Sequence, residues 1–403
     1  MSRRPATTVI FAGFFLLGML FILWGILLPD IARDLAMSEV VSGALFSLFS
    51  LGMMSGAILG GKYATRFDFL FLLASLLVID TVLLLILSVL TQWQSVLVMV
   101  FFIGVISSSM ITIGHTLIAQ MFAEKRFAMM GVMDFMFSLG TFASSFFVTL
   151  LYVAEQNWRL PIQVLSLAML VVAGYALLVA RTQRKVTAGK PKAPKQSLAF
   201  KDVISQPVFL FLALASFGYG AVEFGNANWF VSYAQNGIGF SGEVSRNLLA
   251  CFTAGMVISR LGFAVLLRWF SVHRLVVVMA TLGLTGTLII KLADNLYGLA
   301  GGNLVLGLGI GGLFPLMLSA AMSLSPEKGP VLSGISMVGN TIGVQVASFS
   351  TGLWANFAPL TTAFWVIPVA GVWLWACAFG YSRLLKTNQA DMPAGHHESA
   401  AER

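Results

Sequence analysis

Charge is what this sequence has least of. Only 10% of its 403 residues are Asp, Glu, Lys or Arg, against 58% hydrophobic, and a soluble domain could not cover its surface with so little polarity. Cysteine is nearly absent as well. Cys251 and Cys377 offer neither a disulfide framework nor metal spacing and read as small apolar packing residues. His396 and His397, two of only four histidines, stand in a polar tail and read as solvated. No Walker-type phosphate loop, no His/Cys ligand pattern and no Ser, His and Asp set on suitable elements can be found. These absences argue against an enzyme and leave no cofactor or metal to expect.

What fills the chain instead is a series of apolar runs, each long enough to cross roughly 30 Å of hydrocarbon as a helix. Twelve such spans are expected: 8–28, 41–63, 69–90, 96–122, 128–153, 160–180, 208–231, 244–267, 272–292, 297–324, 330–357 and 360–385. The first follows Arg3-Arg4 and ends at Pro29-Asp30 without a small-residue cleavage pattern, so it is expected to be retained. The net charge of +8 is not a nucleic-acid footprint. With the N-terminus inside, every Lys and Arg except Arg33, Arg159, Arg246, Lys291 and Arg260 falls on the inner side. That positive-inside bias puts both termini in the cytoplasm of a multi-pass protein of the cell (inner) membrane.

The chain also repeats itself. At an offset of 203 residues, Met37–Met53 meets Phe240–Met256, matching Ser38 with Ser241, Leu45 with Leu248, Phe49 with Phe252 and Gly52 with Gly255; the same offset pairs Gly104 with Gly307. Six spans separate the copies, so both insert in the same direction. The expected fold is all-α integral membrane, with 12 transmembrane helices as two six-helix parallel repeats: bundles 1–180 and 207–387, a cytoplasmic linker 181–206 rich in Lys, Pro, Ala and Gln, and a polar tail 388–403. Parallel repeats about an axis normal to the membrane place a substrate site between the halves near mid-membrane. Gly52, Gly56, Gly60 and Gly61 in the second span allow close helix approach, and the glycines of "AGGNLVLGLGIGGLFP" before Pro315 point to bending or sliding in the tenth.

The repeat also sorts the polar residues inside the membrane, because a scaffold requirement would recur 203 positions away. Glu223 faces Leu20, Asn226 faces Leu23, Asp80 faces Gly283, His115 faces Leu318, Asp134 faces Met337, Arg260 faces Ala57 and Asn340 faces Phe137. The fold is built at each place with an apolar residue, so these costly groups are functional candidates, or else helix-to-helix bonds. Tyr219, Glu223, Asn226 and Phe230 share one face of the seventh span, with Trp229 and Tyr233 on its flank. Aromatic planes beside a carboxylate and amides suit a ring-shaped polar solute such as a sugar, and a carboxyl in that place is a candidate proton carrier. Arg260 is expected to pair with Glu223, as a switch or as a static partner. Ser333, Ser336, Asn340 and Gly343 make a polar stripe expected to face the cavity; His115 can bind solute, relay protons or stay neutral and hydrogen-bonded. Asp134, two turns from the inner end of its span, is expected to join Arg66 or Arg126 in a gate.

On these residues the chain resembles the major facilitator superfamily over its whole length. "GKYATRFDF" (Gly61–Phe69) looks like that family's Gly-x-x-x-Asp-Arg-x-Gly-Arg loop, with Thr65 in place of the Asp and Asp68 in place of the second Gly. "YGAVEFGNANWFVSY", "FSLGT" (Phe137–Thr141) and "ISRLGFAVLLRWFSVHRLV", which includes Arg260, resemble the fucose and glucose/galactose permease group, and the TsgA-type branch is similar overall. The carboxylates credited with proton coupling in the first and fourth helices of fucose permease have no counterpart here; the fourth span offers His115 instead. The resemblance implies a secondary transporter moving a small polar solute by alternating access with proton symport. A proton-driven exporter of drugs or metabolites and a non-transporting solute sensor are the alternatives. Substrate, protons and membrane lipid are the expected partners, with no nucleic acid and no obligate protein partner.

Overall fold

The computed structural model describes residues 3–64, 69–122, 125–183, 206–325 and 328–390. They are all helix and connections: α1 (Arg3–Asp34), α2 (Glu39–Ala64), α3 (Phe69–Leu87), α4 (Trp93–Met121), α5 (Arg126–Ala154), α6 (Arg159–Gln183), α7 (Pro207–Ser232, widening into a π-turn at Tyr233–Ile238), α8 (Gly242–Leu266), α9 (Val272–Leu292), α10 in two pieces (Leu296–Ile310 and Leu313–Leu324), α11 (Gly329–Ala355) and α12 (Leu360–Ala363 and Val366–Ala390). Eleven of these helices are long and apolar enough to cross a membrane; the twelfth, α8, carries Glu243, Arg246 and Arg260. An even number of crossings returns the chain to its starting side, so the start of α1 and the end of α12 lie at one end of the bundle, the terminus-bearing side. α6 runs through Gln183 and α12 through Ala390, past the expected bundle ends at 180 and 387; residues 184–205 of the expected linker, 391–403 of the tail, and Thr65 to Asp68 of the loop motif, Arg66 among them, fall outside the described residues.

Two boundaries differ from expectation. α1 does not stop at Pro29 but continues to Asp34. Proline costs a helix the bond to the carbonyl four residues back, here that of Gly25, and it does so in the last turns of a helix that packs on both α5 and α7. α10 is not one bent helix. It breaks at Gly311 and Gly312 and restarts with Pro315 in its first turn, where a missing N–H costs least.

The internal repeat is visible in the packing. α1 lies on α5 as α7 lies on α11, α2 on α4 as α8 on α10, and α3 on α6 as α9 on α12. The second pairing shows why the glycines recur. A Cβ on Gly104 would run into the Phe49 carbonyl oxygen, and one on Gly307 into that of Phe252, each well under 3.0 Å. Both partners are displaced by the same 203 residues. Gly52 and Gly255 face the carbonyls of Phe101 and Leu304 in the same way. Glycine here removes the side chain so that two backbones can touch, which is what holds helices together where lipid is as apolar as leucine.

The halves meet through α1 with α7, α2 with α11 and α5 with α8. Their closest contacts lie at the end away from the termini: Gly25 on the Ala227 carbonyl, Gly43 on that of Ser348, Gly352 on that of Glu39. Nearer the middle, Ser47 and Ser50 of α2 donate to the carbonyls of Gln345 and Thr341 in α11. On the far face the four basic residues are each engaged. Arg33 pairs with Asp30 at 2.7 Å, Arg159 with Asp34 at 2.6 Å, Arg246 bonds Thr149 and lies over the Tyr152 ring, and Lys291 lies over Trp365. Asp30, Arg33, Tyr152, Gln235 and Arg246 line a polar cavity of about 480 Å³ there.

Candidate functional site

The membrane-embedded charges converge at mid-height, where the contact between α5 and α8 approaches the terminus-bearing side. Arg260 projects from α8 toward the seam and touches three elements. Its Nε donates to the Gly311 carbonyl at 3.1 Å, Nη1 donates to Ser138 Oγ of the opposite half, and Nη2 stands 3.7 Å from Glu223 Oε1. The Gly311 carbonyl is free because of Pro315: residue 315 would ordinarily donate to it, and proline has no N–H. The break in α10 is thus an acceptor aimed at α8. It is secured next door, where the Gly312 N–H donates to Ser259 Oγ at 3.1 Å.

Glu223 and Arg260 are largely sheltered, with side chains 12% and 20% exposed. At 3.7 Å the pair is in ionic contact but longer than a charge-assisted hydrogen bond. The Tyr219 hydroxyl, one turn before Glu223, lies close to both. Its ring sits 5.3 Å from that of Phe314, at the restart of α10. An aromatic wall therefore stands beside a carboxylate, a guanidinium and a phenol, on helices from both sides of the α10 break.

In the other half, His115 Nε2 lies 3.2 Å from Asp134 Oδ1, and its Nδ1 is 2.9 Å from the Ile111 carbonyl. The Phe14 ring closes over the imidazole edge-on at 5.3 Å. Asp134 is 54% exposed and His115 29%, so this pair is the more open of the two. Asp134 bonds His115 of α4; the gate partners expected for it, Arg66 and the side chain of Arg126, lie outside the described residues.

The remaining candidates are placed differently. Asn226 is fully buried and donates to Asn303 Oδ1 of α10 at 3.1 Å. Trp229 is fully buried at the far end, donating to the Ser348 carbonyl and facing Phe46 of α2. Both lie inside packed contacts. The π-turn continues this buried region, with Tyr233 stacked on Phe364 at 4.0 Å. The α11 stripe divides. Ser336 is fully buried and Gly343 presses on α7, while off the stripe Gly339 also presses on α7 and the carbonyls of Thr341 and Gln345 meet α2. Asn340, half-buried, sits on the strip between those faces. Asp80 is fully buried with one partner, Ser107 of α4, and its Oδ1 has none.

Sequence reading did not find Ser259, Phe314 or the Gly311 carbonyl as parts of this site. The signal was the proline, since a Pro frees the carbonyl four residues before it. Pro315→Ala is accordingly expected to give α10 back a backbone bond and to take Gly311 away from Arg260. Thermal stability should hold or rise, by up to about 3 kcal/mol, and a fall in the unfolding temperature would show instead that the packing requires the break.

Comparison with known proteins places this geometry. Residues 9–344 match the family model described as Major Facilitator Superfamily. Among solved structures the chain is similar to the nucleoside transporter NupG (TM-score 0.74, 13% identity, 96% of this chain and 100% of that one). It is also similar to a bacterial homolog of the human lysosomal transporter Spinster in its inward-facing, unoccupied conformation (TM-score 0.72, 14% identity, 98% and 100%). No curated protein matches the sequence. At such identities the likeness is one of fold.

Proposed function

Because the chain belongs to the major facilitator superfamily, and is a transporter rather than an enzyme, we propose that it moves a small polar solute, a sugar, by alternating access with proton symport. The observation that carries this reading is the Glu223 and Arg260 pair set beside the Tyr219 and Phe314 rings at mid-membrane. Rings stack on the apolar face of a sugar, while the carboxylate and guanidinium bond its hydroxyls. Glu223 is the group that takes up the proton: neutralising it weakens its hold on Arg260 and loosens the seam that Arg260 ties to Ser138. His115 is a second proton-active group, and Asn340 completes the solute's surroundings.

The bundles 1–180 and 207–387 are the rocking bodies in this proposal. The loops on the terminus-bearing side, with most of the Lys and Arg, face the cytoplasm of the cell that carries the protein in its inner membrane. The conformation described, closed at the far end, is then the one open to the cytoplasm. The fucose and glucose/galactose permease group is the branch it resembles, and the relation of NupG to nucleosides agrees with a solute that carries a sugar.

The test is uptake of a panel of monosaccharides into proteoliposomes under an imposed proton gradient. Wild type should concentrate one of them. Glu223→Gln should abolish gradient-driven accumulation yet keep exchange of the same sugar across the membrane. Accumulation surviving at the wild-type rate in that variant would sink the coupling role. A second reading, export of apolar metabolites or drugs against protons, is favoured by one feature, the Phe21, Phe49 and Phe137 cluster with centroids 5.2 Å apart pairwise around Phe21. Resistance to dyes on overexpression, with no sugar uptake, would select it.

A further inference from the structure

The two ionic pairs are not independent. His115 Nδ1 faces a carbonyl, which can only accept, so Nδ1 carries a proton. Nε2 faces a carboxylate oxygen, so a further proton must lie in that contact, on the imidazole or on Asp134. The four groups together, His115, Asp134, Arg260 and Glu223, then carry no net charge. That is the condition under which ionisable groups are tolerated at this depth.

Arg260 stands between the two carboxylates. It bonds Ser138 of α5, whose hydroxyl donates to the backbone carbonyl of Asp134 one turn earlier on the same helix. The Asp134 charge acts on the guanidinium. One turn of α5 is about 5.4 Å, so reaching Asp134 takes a change of the Arg260 side-chain rotamer that releases Nε from Gly311. Among the described residues the charged and titratable groups facing the network are its own members and Tyr219: Asp134 faces His115, and Glu223, Asp134 and Tyr219 face Arg260.

We infer that these residues hold one exchangeable proton with two addresses, Glu223 in the C-terminal half and the His115 and Asp134 pair in the N-terminal half, and that Arg260 moves opposite to it. With Glu223 ionised, Arg260 attends it and the proton stays between His115 Nε2 and Asp134. When Glu223 takes a proton from solution, Arg260 turns to Asp134, whose charge is then met by the guanidinium. His115 Nε2 gives its proton to water and remains neutral on Nδ1. One proton enters, one leaves, and the network is uncharged before and after. The addresses also differ in access, since Glu223 is nearly enclosed whereas Asp134 is about half exposed.

This deepens the proton-coupled reading above, and it is tested without substrate, so that a failure of either leaves the other standing. The probe is ¹⁵N-histidine in purified full-length protein, with the His115 imidazole signal identified by its loss in His115→Gln and its proton occupancy followed against pH. Glu223→Gln, which mimics the protonated carboxyl, should weaken proton binding at His115 about tenfold, as expected when a cation settles beside its partner. Arg260→Gln should remove that response, so that the double variant Arg260→Gln/Glu223→Gln titrates at His115 like Arg260→Gln alone. If Glu223→Gln does not give monodisperse protein, Ser138→Ala serves: without its neutral resting place Arg260 turns to Asp134, and His115 again loses proton occupancy. An unchanged His115 titration in both Glu223→Gln and Ser138→Ala overturns the inference. So does a response to Glu223→Gln that persists without Arg260.

Discussion

Arg260→Gln is expected to abolish the proton-driven solute accumulation proposed above, a fall of at least about a hundredfold in proteoliposome uptake. Removing one partner of a buried pair leaves the other charge uncompensated at a cost of about 3–5 kcal/mol, and each 1.4 kcal/mol is a factor of ten. The loss reaches further than the pair, because the same guanidinium ties α8 to the α10 break and to Ser138 of the other half. Lysine should not rescue it, since an ammonium is a single point of charge and cannot span three directions as the planar fork does. Unfolding temperature, measured alongside uptake, separates the two roles. Arg260→Gln should be destabilised, and adding Glu223→Gln should recover stability while accumulation stays lost. A double variant that recovers accumulation would show that the pair is only a brace.

The second large effect is expected in the packing. Gly307→Leu should yield no monodisperse protein, and Gly104→Leu the same, because a Cβ at either place already falls well under 3.0 Å from a backbone oxygen on the neighbouring helix. Backbone has no rotamer to retreat to, so the helices must part, and overpacking of this kind costs about 1–3 kcal/mol or more even where side chains can move. Gly301→Leu is the control. Nothing lies within 4 Å of a Cβ there, and it should express and elute like wild type. Size-exclusion profiles of the three variants check the prediction, and a well-behaved Gly307→Leu would overturn it.

The helices and their repeat were legible because both are written in composition and period. Twenty apolar residues can do little else but span, and an offset of 203 residues shows itself wherever glycines must fall against carbonyls, as at Gly104 and Gly307. The meeting of Glu223 with Arg260 was legible too, since two opposite charges stranded on neighbouring helices have few other ways to be tolerated. What the sequence did not disclose was direction around a helix axis. Asn226 shares a face with Glu223 by count, yet one turn further along α7 that face meets α10 rather than the gap, and Asn303 is there to receive it. His115 and Asp134 were both singled out but assigned to different tasks, because nothing in spacing says that α4 and α5 turn those residues toward each other. The Gly311 carbonyl was hidden for another reason: it belongs to no side chain, and only Pro315 betrays it.

The two kinds of seam in this molecule have different mechanical characters. Within each half, α2 on α4 and α8 on α10 are joined by glycine against carbonyl, with no slack and nothing to exchange. Between the halves, the middle of the seam is joined by Ser47 and Ser50 lending hydroxyls to carbonyls of α11, bonds of about 1 kcal/mol net that water can replace one at a time. Such a seam can be peeled, whereas a glycine contact can only be broken whole. Mid-seam contacts between the halves are therefore the softer ones, and contacts within each half the stiffer. In the transport proposed above, the glycine contacts at the far end, Gly25, Gly43 and Gly352, are the latch that has to release as a unit.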